Sequence, residues 1–388
     1  MKVKEERLSD KDALFSVFRL PVYLQPDQAL SIFSRNDLSA HAMNIEDKIG
    51  QLFLLGFQGD TIDENHSVVS DIRHRNLGGV ILFDRRLTGN GGANNIVSAS
   101  QVKALTTSLQ EFSATPLLIA VDQEGGRVRR LKPELGFPAT ASASELGQKN
   151  DKVLTAIHAL TTADTLYSLG INLNLAPVID LNVFDQNPVI GGLDRSFSSS
   201  SDIVDTHAGA WIKAHNRRKV LSCLKHFPGH GSSRTDSHLG FTDITETWQP
   251  EELQPYKHLI AKGLADTIMT GHLFHKDLDP DYPATLSPRI IGTLLRHEMG
   301  FDGVVISDDL QMKAITSRYG LEEAACLALA AGVDLLIIGN NLDVAPDILA
   351  RLIPAVIRAI RAGKLREERI HEAWVRVQQL KKKVFIPS

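Results

Sequence analysis

Two cysteines in 388 residues, Cys223 and Cys326, are too few for a disulfide framework, and neither belongs to a C-x-x-C pair that could grip a metal. Both lie in apolar surroundings and read as buried thiols. No stretch reaches the roughly eighteen consecutive apolar residues that a membrane-spanning helix requires. Charge of neither sign is in excess: a net charge of -4 and a pI near 6.4 exclude strong attraction to nucleic acid or to an anionic membrane surface. A secretion signal is also lacking, because the best early apolar run, residues 13–24, is interrupted by Arg19 and Pro21 and preceded by acidic residues. These absences lead to the expectation of a soluble, cytoplasmic, monomeric protein that handles a small molecule.

Apolar residues make up 43% of the chain, enough for a sizeable core. Residues 1–43 carry mixed charge and two prolines without a clear period, and read as an N-terminal extension. From Ile45 onward, helical spacing alternates with short, continuously apolar runs such as Gly79-Val80-Ile81-Leu82, Leu117-Leu118-Ile119-Ala120-Val121 and Val304-Val305-Ile306. The residues Val102, Leu105, Leu109 and Phe112 fall on one stripe of such a helix. Ser287, Pro288 and Gly300 mark the start and stop of another. Strands without polar alternation are buried on both faces, as in a parallel sheet covered by helices. About eight such units predict a (β/α)8 TIM-type barrel over residues 44–388, with a doubly wound open sheet as the alternative. A second α/β sandwich domain has no room.

The placement of polar residues decides between the two. Asp122, Asp180, Lys225-His226, His272 and Asp308 each stand at the C-terminal end of a different predicted strand. A barrel brings those ends to one mouth, where active sites sit; an open sheet spreads them along an edge.

The densest polar stretch is Lys225–His238, KHFPGHGSSRTDSH, with one lysine, three histidines and one aspartate in fourteen residues. A core segment would have to find a buried partner for each, so this is a loop leaving a strand. Asp236 and His238, one serine apart, make a carboxylate–imidazole pair suited to proton transfer near neutrality, or else a plain surface turn. Asp308 and Asp309 follow a strand, so their side chains point to opposite sides and only one can aim at the mouth. A carboxylate there serves as a nucleophile or as a stabiliser of a developing cation; the bland alternative is a pair of helix N-terminal acids. Asp122, Arg130, Arg195, Lys225 and His226 add charged donors and acceptors of the kind that fit several hydroxyls, meaning a sugar. Gly125-Gly126 lacks the Lys-Ser/Thr of a phosphate loop. His226, His230, His238, His272 and His275 with two aspartates raise a metallohydrolase alternative, but no H-x-H closes the first strand and no H-x-x-x-H lies on a helix. No cofactor and no metal are expected.

At these residues the chain resembles glycoside hydrolase family 3, in its β-N-acetylglucosaminidase branch. The matching stretches are DQEGGRVRRL (Asp122–Leu131), GGLDRSF (Gly191–Phe197), KHFPGHGSSRTDSH (Lys225–His238) and SDDLQM (Ser307–Met312), in the family's order. The resemblance implies that Asp308 is a catalytic nucleophile and that Asp236 and His238 form the acid/base dyad. It further implies that Asp122, Arg130, Arg195, Lys225 and His226 grip the hydroxyls of a terminal GlcNAc. The implied substrate is a GlcNAc-containing muropeptide fragment of peptidoglycan recycling, released by a retaining route. The family's β-glucosidase branch takes its acid/base from a second domain, which a histidine in the barrel loop makes unnecessary. The N-terminal extension departs from the single-domain pattern. A non-enzymatic sugar-binding module is the remaining alternative.

Overall fold

The computed structural model describes residues 43–89, 91–237 and 239–385. Apart from Met43, the expected N-terminal extension lies outside the described residues, and so does His238.

Eight short strands form the centre: β1 (Phe53–Gly56), β2 (Gly79–Ile81), β3 (Leu118–Val121), β4 (Leu173–Asn174), β5 (Leu221–Phe227), β6 (Thr267–Thr270), β7 (Val304–Ser307) and β8 (Leu336–Ile338). All their residues are buried, as continuous apolar runs predict for strands covered on both faces. They pair in parallel in the spatial order β7-β6-β5-β4-β3-β2-β1-β8. A parallel bridge between Ile306 and Leu335 joins β7 to the entry of β8 and closes the ring. The open-sheet alternative is thereby set aside.

A helix follows each strand. In order these are Ser67–Arg75, Ala99–Phe112, Lys152–Ser168, Ser201–Arg217, Gln254–Ala261, Arg289–Glu298, Leu321–Ala331 and Ile348–Arg361. Their ends are written locally. Ser98 Oγ accepts from the Gln101 amide, Asp151 from the Val153 and Leu154 amides, and Ser287 Oγ from the Ile290 amide. The helix over Arg289–Glu298 is wound wider than an α-helix, and Gly300, at φ +67°, follows it.

Read from the sequence, 172–181 is one continuous apolar strand and 251–263 one helix; the structure divides both. The run 172–181 is not one strand: its ladder covers only Leu173–Asn174, because Pro177 has no N–H to donate. The chain resumes pairing at the Val178–Lys225 bridge, so Asp180 still arrives at the mouth, from a loop. The single helix expected over 251–263 is divided into a 3-10 turn, Pro250–Leu253, and the helix Gln254–Ala261, with Pro255 in the first turn of the latter.

The lower end of the barrel is tied by charge. The carboxylate of Asp334, fully buried, receives Arg296 at 2.5 Å, Arg369 and the Val305 amide. Arg369 comes from the last helix, Glu367–Phe385, whose Lys381 reaches Gln51 Oε1 at 2.7 Å. At the upper end β1 and β8 approach so closely that a Cβ on Gly56 would stand 1.8 Å from the Gly339 carbonyl oxygen. A Cβ on Gly339 would in turn lie 2.2 Å from Asp309 Oδ2. Glycine at these two positions is a condition of the packing around the mouth.

Candidate active site

Asp122 and Glu124 leave β3 two residues apart, so the period of an extended chain turns both to one side. Lys225, at the end of β5, bridges them, with Nζ 2.9 Å from Asp122 Oδ1 and 2.8 Å from Glu124 Oε1. Arg195 closes on Glu124 as a fork, Nε to Oε2 and Nη2 to Oε1, both at 2.8 Å. Arg130 Nη2 lies 3.3 Å from the other oxygen of Asp122. Burial alone drives a carboxyl toward its neutral form. Here Arg195 and Lys225 outweigh it and hold Glu124 down at about 2, while Lys225 and Arg130 hold Asp122 below the usual range. Burial likewise disfavours a charged lysine, yet Asp122 and Glu124 raise Lys225 above its ordinary value. The cluster is therefore a fully ionised set in which every charge already has a partner.

Asp180 organises the second half. It is buried, and its two oxygens accept from the backbone amides of His226 and His230 and from His226 Nδ1, the last at 2.8 Å. Burial is again offset by the neighbouring histidines and amides, so its carboxyl stays below the usual range. The bond to Asp180 places the proton of His226 on Nδ1; Nε2 then accepts, 3.3 Å from Arg195 Nη2. His230, deeply buried, has its pKa pulled down to about 4 by burial and by His226. Its ring joins Ser233 Oγ at 2.6 Å and Ser237 Oγ at 3.3 Å.

Ser237 stands between Asp236 and His238. Its carbonyl accepts from the Ala314 amide at 3.3 Å, which docks the loop on the segment following β7. Asp236 is half-buried.

Asp308 and Asp309 leave β7 and are half-buried. The Asp308 amide bonds the Thr270 carbonyl of β6, and its Oδ1 accepts from the Asp309 amide at 2.8 Å. Asp309 turns the other way: its Oδ1 receives the amides of Gln311 and Gly339 at 3.0 and 2.9 Å. His272, considered above as a metal ligand, bonds Thr285 Oγ1 at 2.8 Å and the Asp309 carbonyl at 2.9 Å, a strut beneath the aspartate pair. The thiol of Cys223, within the barrel, is pushed up to about 12 by burial.

Thus Asp122, Arg130, Arg195, Lys225 and His226 are joined through Glu124 into one hydrogen-bonded chain. Glu124 and Asp84 were not singled out from the sequence. The first has a legible signal, its two-residue offset from Asp122. Asp84, which lies 3.8 Å from Arg130 Nε and 2.6 Å from Lys132 Nζ, has none.

The model of the glycosyl hydrolase family 3 N terminal domain matches residues 44–380. Among curated relatives, the chain is 33% identical to beta-hexosaminidase A of Pseudoalteromonas piscicida, over 81% of this chain and 54% of that protein. It is 37% identical to the beta-hexosaminidase of Tolumonas auensis, over 74% of this chain and 82% of that one. A solved glycoside hydrolase family 3 beta-N-acetylglucosaminidase from Paenibacillus superposes with a TM-score of 0.80 and 34% identity, over 88% of this chain and 63% of that one. The chain therefore spans about half to two thirds of two of these proteins and most of the third.

Proposed function

The chain belongs to glycosyl hydrolase family 3, and from that premise we propose that it is a retaining exo-β-N-acetylglucosaminidase. Its substrate is a fragment with a terminal, non-reducing GlcNAc β-1,4-linked to a muramyl residue, as cell-wall recycling produces. Glu124, Lys225, Asp122, Arg130, Arg195 and His226 hold the sugar. The donors and acceptors of this ionised cluster are fixed before substrate arrives, which lowers the cost of ordering them around hydroxyls.

Asp308 attacks the anomeric carbon as the C1–O bond breaks, and His238, oriented by Asp236, gives a proton to the departing oxygen. Water then gives its proton to the same imidazole, attacks C1 and releases GlcNAc and free Asp308. The observation that supports the reading best is the contrast within the aspartate pair: Asp309 receives the Gln311 and Gly339 amides and is tied to the fold, which favours Asp308 for the chemistry. In this reading residues 44–388 form the catalytic barrel domain, preceded in sequence by the extension 1–43, and the reaction takes place in the cytoplasm.

The test is turnover of an aryl β-N-acetylglucosaminide, followed by trapping with a fluorinated glycosyl donor and mass spectrometry. The label should fall in the Ser307–Met312 peptide, and Asp308→Ala should lower kcat by about 10³-fold or more. A label elsewhere, or a loss under about tenfold, refutes the nucleophile assignment.

A further inference from the structure

Asp122 and Glu124 can grip a ligand together only if the residue between them, the buried Gln123, is held still. The ladder between β3 and β4 stops at Val121 and Asn174, but the side-chain amide of Asn174 carries the pairing farther. Its Oδ1 accepts from the Gln123 amide and its Nδ2 donates to the Gln123 carbonyl, each at 3.1 Å. These two groups belong to the peptides on either side of Gln123, one leading from Asp122 and the other to Glu124. The Gln123 side chain folds the arm that follows. Its Oε1 accepts from the Arg130 and Leu131 amides at 3.0 and 2.9 Å, and its Nε2 donates to the Leu131 carbonyl at 3.2 Å. Arg130 is thereby brought back to Asp122, 3.3 Å away.

Behind Asn174 stands His215, from the helix Ser201–Arg217. Asn174 Nδ2 can only donate, so His215 Nε2, 3.1 Å away, accepts, and its Nδ1 donates to the Trp211 carbonyl at 3.0 Å. The ring is fully buried and stacks on the Trp211 indole with centroids 5.0 Å apart. Burial pulls it down to about 4, so it is neutral at pH 7 and keeps that tautomer.

From this we infer that Asn174 and His215 are positioning residues for the sugar-holding cluster. His215 orients the Asn174 amide, Asn174 clamps the backbone on both sides of Gln123, and Gln123 sets Asp122, Glu124 and Arg130. The inference rests on the exo-glycosidase reading above and adds the layer behind the site. Neutral groups suit this place, since the charges in front of them are already balanced against one another. Side chains as short as Asp122 cannot absorb a shift of their own backbone, and a displacement of about 1 Å in a gripping group can cost on the order of 100-fold. A residue that only filled the core would need no amide, and its loss would lower stability without touching sugar affinity.

The test compares the full chain with Asn174→Ala, shown by thermal melting to be folded at the assay temperature. The substrates are p-nitrophenyl β-N-acetylglucosaminide and its analogues lacking the hydroxyl at C3, C4 or C6. KM for the parent should rise about tenfold with kcat within about twofold, which reports lost holding rather than lost chemistry. Each analogue lacks one hydroxyl, so pairing it with the variant makes a double-mutant cycle. On at least one analogue the penalty of the variant should fall below about twofold, because the contact it disturbs is already absent. His215→Leu should raise KM in the same pattern. His215→Gln, which keeps an acceptor for Asn174 Nδ2, should return KM to within about threefold of the unaltered protein. This pair carries the test if Asn174→Ala does not fold. A penalty of equal size on all four substrates, an unchanged KM, or equal behaviour of the two His215 variants overturns the inference and leaves the glycosidase reading intact. Failure of the unaltered protein to cleave the parent substrate overturns the glycosidase reading, and this inference with it.

Discussion

Glu124 holds two cations at once, the Arg195 fork and the Lys225 ammonium, and almost none of it is exposed. Because its carboxyl is held at about 2 in the folded protein against an ordinary 4.5, the unfolded chain binds the extra proton in between. Its stabilising contribution is full above about pH 4.5 and is lost as the pH falls toward 2. Glu124→Gln keeps the shape and removes the charge. At pH 7 the variant should be less stable by about 3–5 kcal/mol, the cost of leaving buried cations without their partner. Thermal melts taken from pH 7 to pH 2 should show the two proteins converging with acid; parallel curves would mean that Glu124 carries no net charge interaction. The neighbouring aspartates show how position sorts two identical residues. Asp309 is placed by Gly339, where any side chain would collide with its carboxylate, and Asp308 follows the opposite direction of the strand.

The loop from Gly231 to Gly240 joins the sugar-holding and proton-handling parts of the site. Asp180 fixes the backbone of both His226 and His230, and His230 then reaches Ser237, the residue inside the Asp236–His238 pair. The buried ring of His230 is uncharged at neutral pH, since its pKa is pulled down to about 4. Ser237→Ala should therefore lower kcat about tenfold with little change in KM, by loosening the proton donor without touching the sugar. The loss should be smaller for a dinitrophenyl glycoside, whose departure needs no proton; equal losses for both leaving groups would assign Ser237 a role in folding alone. Elements of this kind separate what a sequence reveals from what it hides. The barrel strands were legible because burial on both faces leaves no polar alternation, as in Leu118–Val121 and Val304–Ser307. Lys225 and Asp308 were legible as charges at the ends of such runs. The short β4 was not, because apolar residues on either side of Pro177 look like a continuous strand until the ladder is traced. Asp84 was not, because its role comes from Arg130 and Lys132, some fifty residues away in sequence, and no local pattern encodes that meeting.

At the scale of the molecule, the last helix is part of the barrel floor. Lys381 is buried there against Gln51, and burial pulls it down to about 7 from the usual 10.5. The unfolded chain keeps that proton up to about 10.5, so it binds more protons than the folded chain between pH 7 and 10.5, and stability should rise with pH across that window. Lys381→Met should raise the melting temperature at pH 7 and flatten this rise; a variant that keeps the wild-type slope would place the titration elsewhere.

The seam between β7 and β8 also bears on how the chain is made. A ring of strands has no edges, but a ring lacking its last member has two, and each offers unpaired amides and carbonyls to any other strand. During synthesis that state lasts until residues 334–385 emerge, because β8 and the arginine that neutralises Asp334 both come from this final stretch. Until residues 334–385 have been made, the nascent chain therefore exposes strand edges to aggregation, with the whole sugar-binding cluster already synthesised and the strand that bears Asp308 still open on one side.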